Sequence, residues 1–491
     1  MKTDLYRMFR ILSLFLLPFL ISCSVSKNYN PNRKYSREDL QKDYSLLRNI
    51  LEKKHPSLYW YTPKDSMDLY FERGYESIAD SMTELQFGWT ILAPLTSAIR
   101  CGHTGFSMSK GWNKFIRYRR IPSFPLHVKV WNDTMMVMAN LNRKDTTIKK
   151  GDFITAINGI KSAEMINTMF HYMPADGYAE NVNYIRLSSS FPYFHRNIYG
   201  LYQHYFVQYS DSSGNQKSAL IPYFAPSPDS VQKAKREEKF LERRIPRLEK
   251  QEAIRSVKFD STTALMTVNR FTNGNLGSFI RHSFREIRKN KTENLIIDLR
   301  TNGGGKIDKA ALLARYLSDR GFKIADTAYS KSKNFVPFNR NISNTLENNL
   351  GLTVLTKKSS DGKYHFGFWE RHTFKPKKKN HYNGNVYVLI NGLTFSASTL
   401  FCNLVQGQDN IILAGEETGG GWYGNSGILI PNITLPKTKL KIRLPFFRLV
   451  QYQHIEEKGT GVIPDVYIGP NWRDILQGRD TKLEAVKKMI Q

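Results

Sequence analysis

The sequence predicts an α/β fold in which a largely parallel sheet presents functional residues at its strand ends. From about Val257 to Gly469, the strand patterns "TALMTVNRF", "NLIIDLR" and "NVYVLIN" alternate with the helix patterns "LGSFIRHSFREIRK", "KAALLARYL" and "ASTLFCNLVQ". "NLIIDLR" and "NVYVLIN" are almost wholly apolar, as expected of strands that are buried on both faces. Alternation of this kind indicates βαβ units, whose sites lie beyond the carboxyl ends of the strands.

The first residues predict an exported chain that is anchored by lipid. The basic start "MKTDLYRMFR" precedes the apolar run "ILSLFLLPFLIS", which has the form of a secretory signal and is short for a membrane span. The run leads into "LISC", which resembles the lipobox of bacterial lipoproteins. The resemblance implies that residues 1–22 are a signal peptide, that Cys23 is lipidated and that residues 23–35 form a tether in the cell envelope, facing the periplasm or the exterior. An ordinary signal peptide followed by a chance cysteine is the alternative.

Composition and charge narrow the classes of function. The 491 residues are 41% hydrophobic and 23% charged, which fits a folded chain of roughly two to four domains. The net charge of +29 comes from basic residues scattered along the chain, so we expect a solvated basic surface and no nucleic-acid partner. The sequence has no CxxC pair and no HExxH motif, so we expect no metal and no other cofactor.

Residues 36–110 are predicted to be a helical region. "REDLQKDYSLLRNILEKKHP" places its apolar residues on one helix face, with Ser36 at the expected N-cap and a proline after the end. A second amphipathic run covers Ser81 to Ile99. The region ends at "IRCGHTGFSM", which sets His103 in a glycine-flanked turn.

Three further segments complete the expected organisation. Residues 120–223 contain short strand patterns, including a hairpin around Asn132–Asp133 and the string "GDFITAINGIKS", which resembles the signature of PDZ domains. A charged helical linker is expected at 224–255, before the α/β core at 256–470. Residues 471–491 are expected to form a C-terminal helix.

Two strand-to-helix turns carry the candidate chemistry. "DLRTNGGGKID" has three glycines after a buried strand, where backbone N–H groups can approach a negative charge closely. The stretch lacks the Lys-Ser/Thr ending and the GxGxxG spacing of phosphate-binding loops. An oxyanion hole also needs backbone N–H donors that point at a negative charge. "NGLTFSAST" places Ser396 and Ser398 at the start of the next helix, where a serine is either a helix cap or a nucleophile.

The motifs "IIDLRTNGGG", "LINGLTFSAST", "ILAGEETGGG" and "GTGVIPDVYI", in this order, resemble those of the C-terminal processing (tail-specific) serine peptidases. The resemblance implies a core similar to ClpP and crotonase, with a PDZ-like insert. It places the nucleophile at Ser396. It also implies an oxyanion hole made by the backbone N–H groups of Gly304, or less favourably Gly303, and of Ala397.

This chain departs from that family at two positions. The lysine that many members use as base falls on Gly421, and Thr399 replaces the glutamate of the "SASE" motif. A second branch, similar to the tricorn core peptidase, uses a histidine in a "GHT" turn, and here "CGHTGF" supplies His103. By contrast, His55 is expected to end a helix and His127 falls in a strand pattern.

An imidazole base needs an acceptor that orients it. In the tricorn-like branch a late glutamate has this role, which implies Glu457, or less favourably Glu456, in "HIEEKGTGVIPD". Glu416 and Glu417 remain alternatives.

The resemblance thus implies a lipid-anchored extracytoplasmic serine endopeptidase that acts on peptides or unfolded proteins. Two alternatives stay open: a catalytically inactive peptide- or ligand-binding lipoprotein on the same scaffold, and a hydrolase of non-peptide esters or amides. We also hypothesise that Cys101 and Cys402, the two cysteines after Cys23, form a disulfide under the site; two buried free thiols are the alternative.

Overall fold

A computed structural model describes residues 29–117, 119, 121–226, 254–272, 274–453, 455 and 458–491 of the chain. The strands are, in chain order, β1 (Lys34–Tyr35), β2 (Met82–Thr83), β3 (Gly105–Ser107), β4 (Leu126–Trp131), β5 (Thr134–Asn140), β6 (Phe153–Ile157), β7 (Ile160–Lys161), β8 (His204–Ser210), β9 (Gln216–Pro222), β10 (Arg255–Asp260), β11 (Thr263–Val268), β12 (Asn294–Asp298), β13 (Ala325–Ser330), β14 (Lys357–Lys358), β15 (Tyr364–His365), β16 (Asn385–Ile390), β17 (Ile411–Gly415), β18 (Gly424–Asn425), β19 (Asn432–Thr434), β20 (Lys441–Arg443), β21 (Arg448–Gln451) and β22 (Val466–Tyr467).

The α-helices are, in chain order, α1 (Arg37–Lys54), α2 (Lys64–Glu76), α3 (Glu84–Gln86), α4 (Ala93–Ala98), α5 (Lys110–Ile116), α6 (Ser162–Phe170), α7 (Asn181–Tyr199), α8 (Leu276–Lys289), α9 (Ile307–Ala314), α10 (Thr345–Leu355), α11 (Gly367–Arg371), α12 (Ala397–Val405), α13 (Trp472–Gln477) and α14 (Thr481–Ile490). A π-helix (Phe87–Leu92) joins α3 to α4. In the part of the chain that the structure describes, no helix is long and apolar enough to cross a membrane.

A six-stranded sheet in the order β10-β11-β12-β16-β17-β22 forms the centre of the C-terminal half. Only the edge pair β10–β11 is antiparallel, and every other pair is parallel, which confirms the prediction of a largely parallel sheet in an α/β fold. Strands β12 and β16 are direct neighbours, with Asp298 opposite Leu389. The turns that follow them, the triple glycine and the serine turn, therefore meet at the same edge of the sheet.

Both faces of this sheet are covered, because successive side chains of a strand point to opposite sides. In β12, Leu295 and Ile297 pack into one apolar cluster with helices α8, α9 and α12. Ile296 points the other way, into a smaller cluster that includes Val486 of α14. Each such buried side chain contributes about 1.5–3 kcal/mol to the free energy of folding.

The N-terminal helices follow the sequence pattern in part. Ser36 caps α1, since its Oγ accepts a hydrogen bond from the N–H of Asp39 at 3.2 Å, and the helix ends at His55 as predicted. The second amphipathic run forms a continuous helical stretch from Glu84 to Ala98, in which α3 and α4 flank the π-helix. Thr83 and Gln86 form a capping box at its start, and Pro94 lies in the first turn of α4.

The middle of the chain forms a second, antiparallel sheet in the order β4-β5-β6-β8-β9, covered by α6 and α7. The predicted hairpin around Asn132 is present as β4 and β5, and "GDFITAINGIKS" forms β6, a turn and β7. Most of the expected charged linker, residues 227–253, lies outside the described residues. The segment 471–491 holds two helices, α13 and α14, instead of one.

A small sheet in the order β19-β20-β3 ties the N-terminal region to the core. Strand β3 begins two residues after His103 and pairs with β20, so that Gly105 lies opposite Arg443. This pairing carries the histidine turn to the edge of the central sheet.

Candidate active site

Ser396 stands at the N-cap of α12 with φ 58° and ψ −119°, a backbone conformation that is rare for a residue other than glycine. Such a conformation costs about 1–3 kcal/mol, and it is found preferentially at functional sites. The Ser396 side chain makes no capping hydrogen bond, and the residue is half-buried. Ser396 therefore occupies the N-cap position, but its hydroxyl does not cap the helix, and the helix-cap alternative is wrong. Ser398, by contrast, is fully buried in the helix, and its Oγ has no hydrogen-bond partner.

Glycines on two neighbouring turns hold this serine in place. A Cβ on Gly304, whose φ is 96°, would lie 2.8 Å from Ser396 Cβ and 2.9 Å from the nitrogen of Ala397. A Cβ on Gly420 would lie 2.9 Å from the nitrogen of Ser396. The N–H of Phe395 also donates to the carbonyl of Asn302 at 3.1 Å. The triple-glycine turn thus packs directly against the serine turn, as the sheet order requires.

The N–H groups around Ser396 are the candidate oxyanion donors. Ala397 lies in the first turn of α12, where N–H groups have no partner within the helix. Gly304 N–H donates to the Asn302 Oδ1 at 3.0 Å, so this predicted donor is already engaged by a side chain. Gly303 N–H has no acceptor among the described residues, and a Cβ on Gly303 would meet no atom within 4 Å.

His103 is brought to Ser396 from far along the sequence. Its ring is buried, with 5% of its surface exposed, and it packs on Phe395 with ring centroids 4.8 Å apart. The Nε2 of His103 and the Oγ of Ser396 lie 2.8 Å and 2.9 Å from the point where a Cβ would project from Gly427. The two atoms therefore face the same small volume, beside a residue that has no side chain to fill it.

Asp176 lies behind the imidazole. Its Oδ2 is 4.0 Å from His103 Nδ1, and Nδ1 has no hydrogen-bond partner. Asp176 is 2% exposed, and its Oδ1 accepts from the N–H of Gly102 at 2.7 Å. Sequence reasoning missed this residue, because it stands in the unrelated stretch "MPADGYAE", and only the fold carries it to the histidine turn.

Of the four glutamates considered as the acceptor that orients His103, two lie outside the described residues and two have other partners. Glu456 and Glu457 lie outside the described residues. Glu416 pairs with Lys482 at 2.7 Å, and Glu417 accepts from the N–H of Gly461 at 2.6 Å, so these two alternatives are engaged elsewhere.

Comparison with known proteins finds a family model that matches the α/β core, which holds Ser396. Residues 262–468 match the description "Peptidase family S41". The chain carries a peptidase family S41 domain. This match confirms the resemblance seen in the motifs and supports a serine-type peptidase. No curated protein has a significant sequence match to the chain.

Solved structures support the fold over nearly the whole chain. Mature CPAF complexed with lactacystin is similar with a TM-score of 0.60 and 14% identity, over 92% of this chain and 97% of that chain. A second structure of mature CPAF gives a TM-score of 0.57 and 13% identity, over 90% of this chain and 94% of that chain. A putative peptidase from Parabacteroides merdae gives a TM-score of 0.44 and 14% identity, over 93% of this chain and 96% of that chain. At these identities, the CPAF structures show the fold alone.

The position expected for a catalytic lysine lies against Asp176. Gly421 N–H points to Asp176 Oδ2 at 3.5 Å, and a Cβ on Gly421 would lie 2.8 Å from the carbonyl oxygen of Gly424. Backbone atoms cannot retreat from such a contact as a flexible side chain can. A lysine side chain at position 421 would therefore clash at its first carbon, which leaves His103 as the candidate base.

The surroundings of His103 lower its pKa. Burial is the main cause; the charge of Asp176 opposes it, and the charges of Arg443, Arg448 and Arg186 add to it. A pKa below the ordinary value keeps the imidazole neutral near pH 7, which is the form that accepts a proton. His55 supports the same turn, since its Nε2 bonds Thr104 Oγ1 at 2.8 Å.

The hypothesised disulfide is absent, because Cys101 and Cys402 are both free. Cys101 packs in the N-terminal apolar cluster and Cys402 in the core cluster, so different elements bury the two sulfurs. Burial raises the pKa of both thiols. Cys101, His103 and Asp176 offer potential ligand atoms within 4.8 Å of one another, but a metal would need Cys101 as the thiolate that burial disfavours.

Proposed function

We propose that this chain is a lipid-anchored extracytoplasmic serine endopeptidase that cleaves peptide bonds through an acyl-enzyme on Ser396. The observation that carries the proposal is the approach of Ser396 Oγ and His103 Nε2 to one point beside Gly427. A serine hydroxyl is a weak nucleophile at its free pKa, and a neutral imidazole within reach is what activates it. The Ser396 side chain makes no capping hydrogen bond to its own helix.

The reaction follows from this geometry. Ser396 Oγ attacks the substrate carbonyl while His103 Nε2 takes its proton, and the same nitrogen then returns the proton to the leaving amine. Water hydrolyses the acyl-enzyme in a second step. The oxyanion is bound by Ala397 N–H and by the triple-glycine turn, where Gly303 N–H is open and Gly304 N–H must first leave Asn302.

Asp176 is proposed to be a positioning residue for His103. At 4.0 Å, Asp176 Oδ2 is the carboxylate that faces Nδ1 in the described chain, and its negative charge favours the imidazolium that forms during attack. The backbone N–H groups of Gly102 and Gly421 hold the carboxylate at this position.

The site test is labelling with a fluorophosphonate, which reacts with activated serines. We expect labelling of the wild-type chain, none in Ser396→Ala, and at least a hundredfold slower labelling in His103→Ala. Ser398→Ala is the matched control, because Ser398 is two residues away, fully buried and without a hydrogen bond. Labelling that persists in Ser396→Ala, or a folded wild-type chain that does not react, contradicts the proposal.

The anchor is proposed from the sequence, since residues 1–28 lie outside the described chain. The basic start, the short apolar run and "LISC" support it. We expect the full-length chain to partition into the detergent phase and to incorporate radiolabelled palmitate, and Cys23→Ser to lose both properties. Palmitate incorporation that survives Cys23→Ser contradicts this part of the proposal.

The antiparallel domain at 120–223 is proposed to be PDZ-like and to bind a peptide terminus near the site. Its support is the "GDFITAING" string at β6 and the contact of α7 with the core turn after β17, where Asn181 donates to the carbonyl of Glu417 at 2.9 Å. Deletion of the sheet should raise KM for protein substrates more than for short peptides.

A further inference from the structure

We infer that Arg186 and Arg443 form a carboxylate-binding subsite for the peptide substrate, next to His103. The inference rests on the proposed function, and it names a chemical group that the substrate presents. It is carried by a pocket, by two guanidinium groups without carboxylate partners, and by a strand edge that leads from the catalytic histidine into that pocket.

The pocket lies where the N-terminal region, the antiparallel domain and the core meet, and it has a volume of about 410 Å³. Strand β3 forms one wall, from Gly105 to Ser107, directly after the histidine turn. Aromatic side chains, among them Trp89 and Trp112, line the pocket together with the two arginines. A cavity of this size accommodates one or two amino-acid residues of an extended peptide.

The two arginines converge on the same end of this pocket. Arg443 Nη2 and Pro174 Cγ each lie 3.5 Å from the point where a Cβ would project from Gly105. Arg186 Nη1 donates to the carbonyl of Pro174 at 2.5 Å and to Asn183 Oδ1 at 3.0 Å. Because Gly105 has no side chain, the space between Arg443 Nη2 and Pro174, the residue that Arg186 contacts, is open.

Neither guanidinium has a carboxylate within ion-pair distance among the described residues. Arg443 makes one long hydrogen bond, from Nη2 to the carbonyl of Gly102 at 3.4 Å, and the residue is exposed. Asp176, whose charge reaches both arginines, is held by backbone N–H groups and faces His103. Burial, and then the charge of Arg443, lower the pKa of Arg186 to about 10, and the charge of Asp176 opposes this shift.

A peptide can reach these groups in an extended conformation. Strand β3 pairs with β20 on one side, and in the described chain it has no strand on the other. Addition of a substrate strand to an open edge is a common mode of peptide recognition, with alternate side chains entering pockets. A carboxylate placed between two guanidinium groups forms charge-assisted hydrogen bonds, which are the strongest available to a peptide. This carboxylate is either an aspartate or glutamate side chain or the carboxyl terminus of the substrate.

Binding to the Ser396→Ala chain tests the subsite without any chemical step. Fluorescent peptides are compared in two matched pairs: glutamate against glutamine at one internal position, and a free carboxyl terminus against its amide. We expect the acid of one pair to bind on the order of tenfold more tightly by fluorescence anisotropy, with the preference decreasing as salt rises. The pair that shows the preference identifies the source of the carboxylate.

Arg443→Gln in the same background should reduce this preference to less than about threefold, and Arg443→Glu should favour a lysine peptide over its glutamine counterpart. Arg186→Gln is the second variant, checked by its melting temperature because Arg186 also supports Pro174. Arg143→Gln is the matched control, since it removes an exposed charge elsewhere on the antiparallel domain.

Equal binding of acids and amides, or a preference that Arg443→Gln leaves unchanged, overturns the subsite. Fluorophosphonate labelling of the wild-type chain from the same preparation separates this failure from that of the proposed function. A chain that labels at Ser396 but shows no carboxylate preference keeps the peptidase and loses the subsite. A chain with the preference but without labelling keeps the subsite and loses the peptidase.

Discussion

Replacement of Gly427 with alanine places a methyl group against both side chains that are proposed to react. The new Cβ would lie 2.8 Å from His103 Nε2 and 2.9 Å from Ser396 Oγ. Atoms of this size settle at about 3.5 Å or more, so each of these two atoms must retreat by roughly 0.6–0.7 Å. The backbone conformation tolerates the change, since Gly427 is not among the positive-φ glycines. Asn425 Oδ1, which accepts from Gly427 N–H, would lie 3.0 Å from the new Cβ and must also shift slightly.

The expected loss follows from the distance that proton transfer needs. The donor and acceptor must approach to about 2.6–3.2 Å, and a positioned general base contributes about 10²–10⁴-fold to the rate. At 1.36 kcal/mol for each factor of ten, the barrier should rise by about 2.7–5.4 kcal/mol. We therefore expect kcat/KM to fall by at least a hundredfold in Gly427→Ala.

The assay measures peptide hydrolysis and the rate of fluorophosphonate labelling side by side, together with the melting temperature. Gly351→Ala is the matched control, because Gly351 lies in α10 and a Cβ there would meet no atom within 4 Å. That variant should keep wild-type activity. Wild-type activity in Gly427→Ala would show that Oγ and Nε2 do not react across this point, and the proposed geometry would be wrong.

Other parts of the structure give predictions of the same kind. Asp176→Asn should lower kcat on the order of 10²-fold and move the acidic limb of the kcat/KM profile to lower pH, because the charge of Asp176 raises the pKa of His103; an unchanged limb would remove Asp176 from the site. Asp43→Ala should destabilise the chain by about 3 kcal/mol in urea titrations, because this buried carboxylate accepts three hydrogen bonds from residues 437–438; a change under about 1 kcal/mol would contradict that role. Both cysteines of the described chain should react with a thiol reagent only after unfolding, and mapping of non-reduced peptides should find no bridge between them; rapid reaction in the native state would contradict their burial.

The central sheet could be predicted because its strands and helices carry local patterns. "NLIIDLR" and "NVYVLIN" are buried on both faces, and parallel pairing of their strands then forces the two following turns together. Ser396 and the triple-glycine turn followed from that order and from the family motifs. The histidine turn could be predicted from the family resemblance, because "CGHTGF" is a short local string that precedes the PDZ-like segment.

The parts that could not be predicted depend on contacts between distant segments. Asp176 belongs to the antiparallel domain and approaches His103 only through tertiary packing. No motif or spacing in the sequence therefore predicts that the two residues are close. Gly427 is informative only because a side chain there would contact both atoms that are proposed to react. The hypothesised disulfide was wrong because closeness to site residues in sequence does not fix which apolar cluster buries a sulfur.

The most direct test of the account is the pH dependence of the second-order rate of fluorophosphonate labelling at Ser396. Because burial depresses the pKa of His103, the rate should rise with pH through a single inflection below the ordinary histidine value, about 6.5, and then stay level. In His103→Ala this inflection should vanish and the rate should be at least a hundredfold lower. A wild-type profile that rises only above pH 8, or an inflection that survives His103→Ala, would show that another group activates the serine.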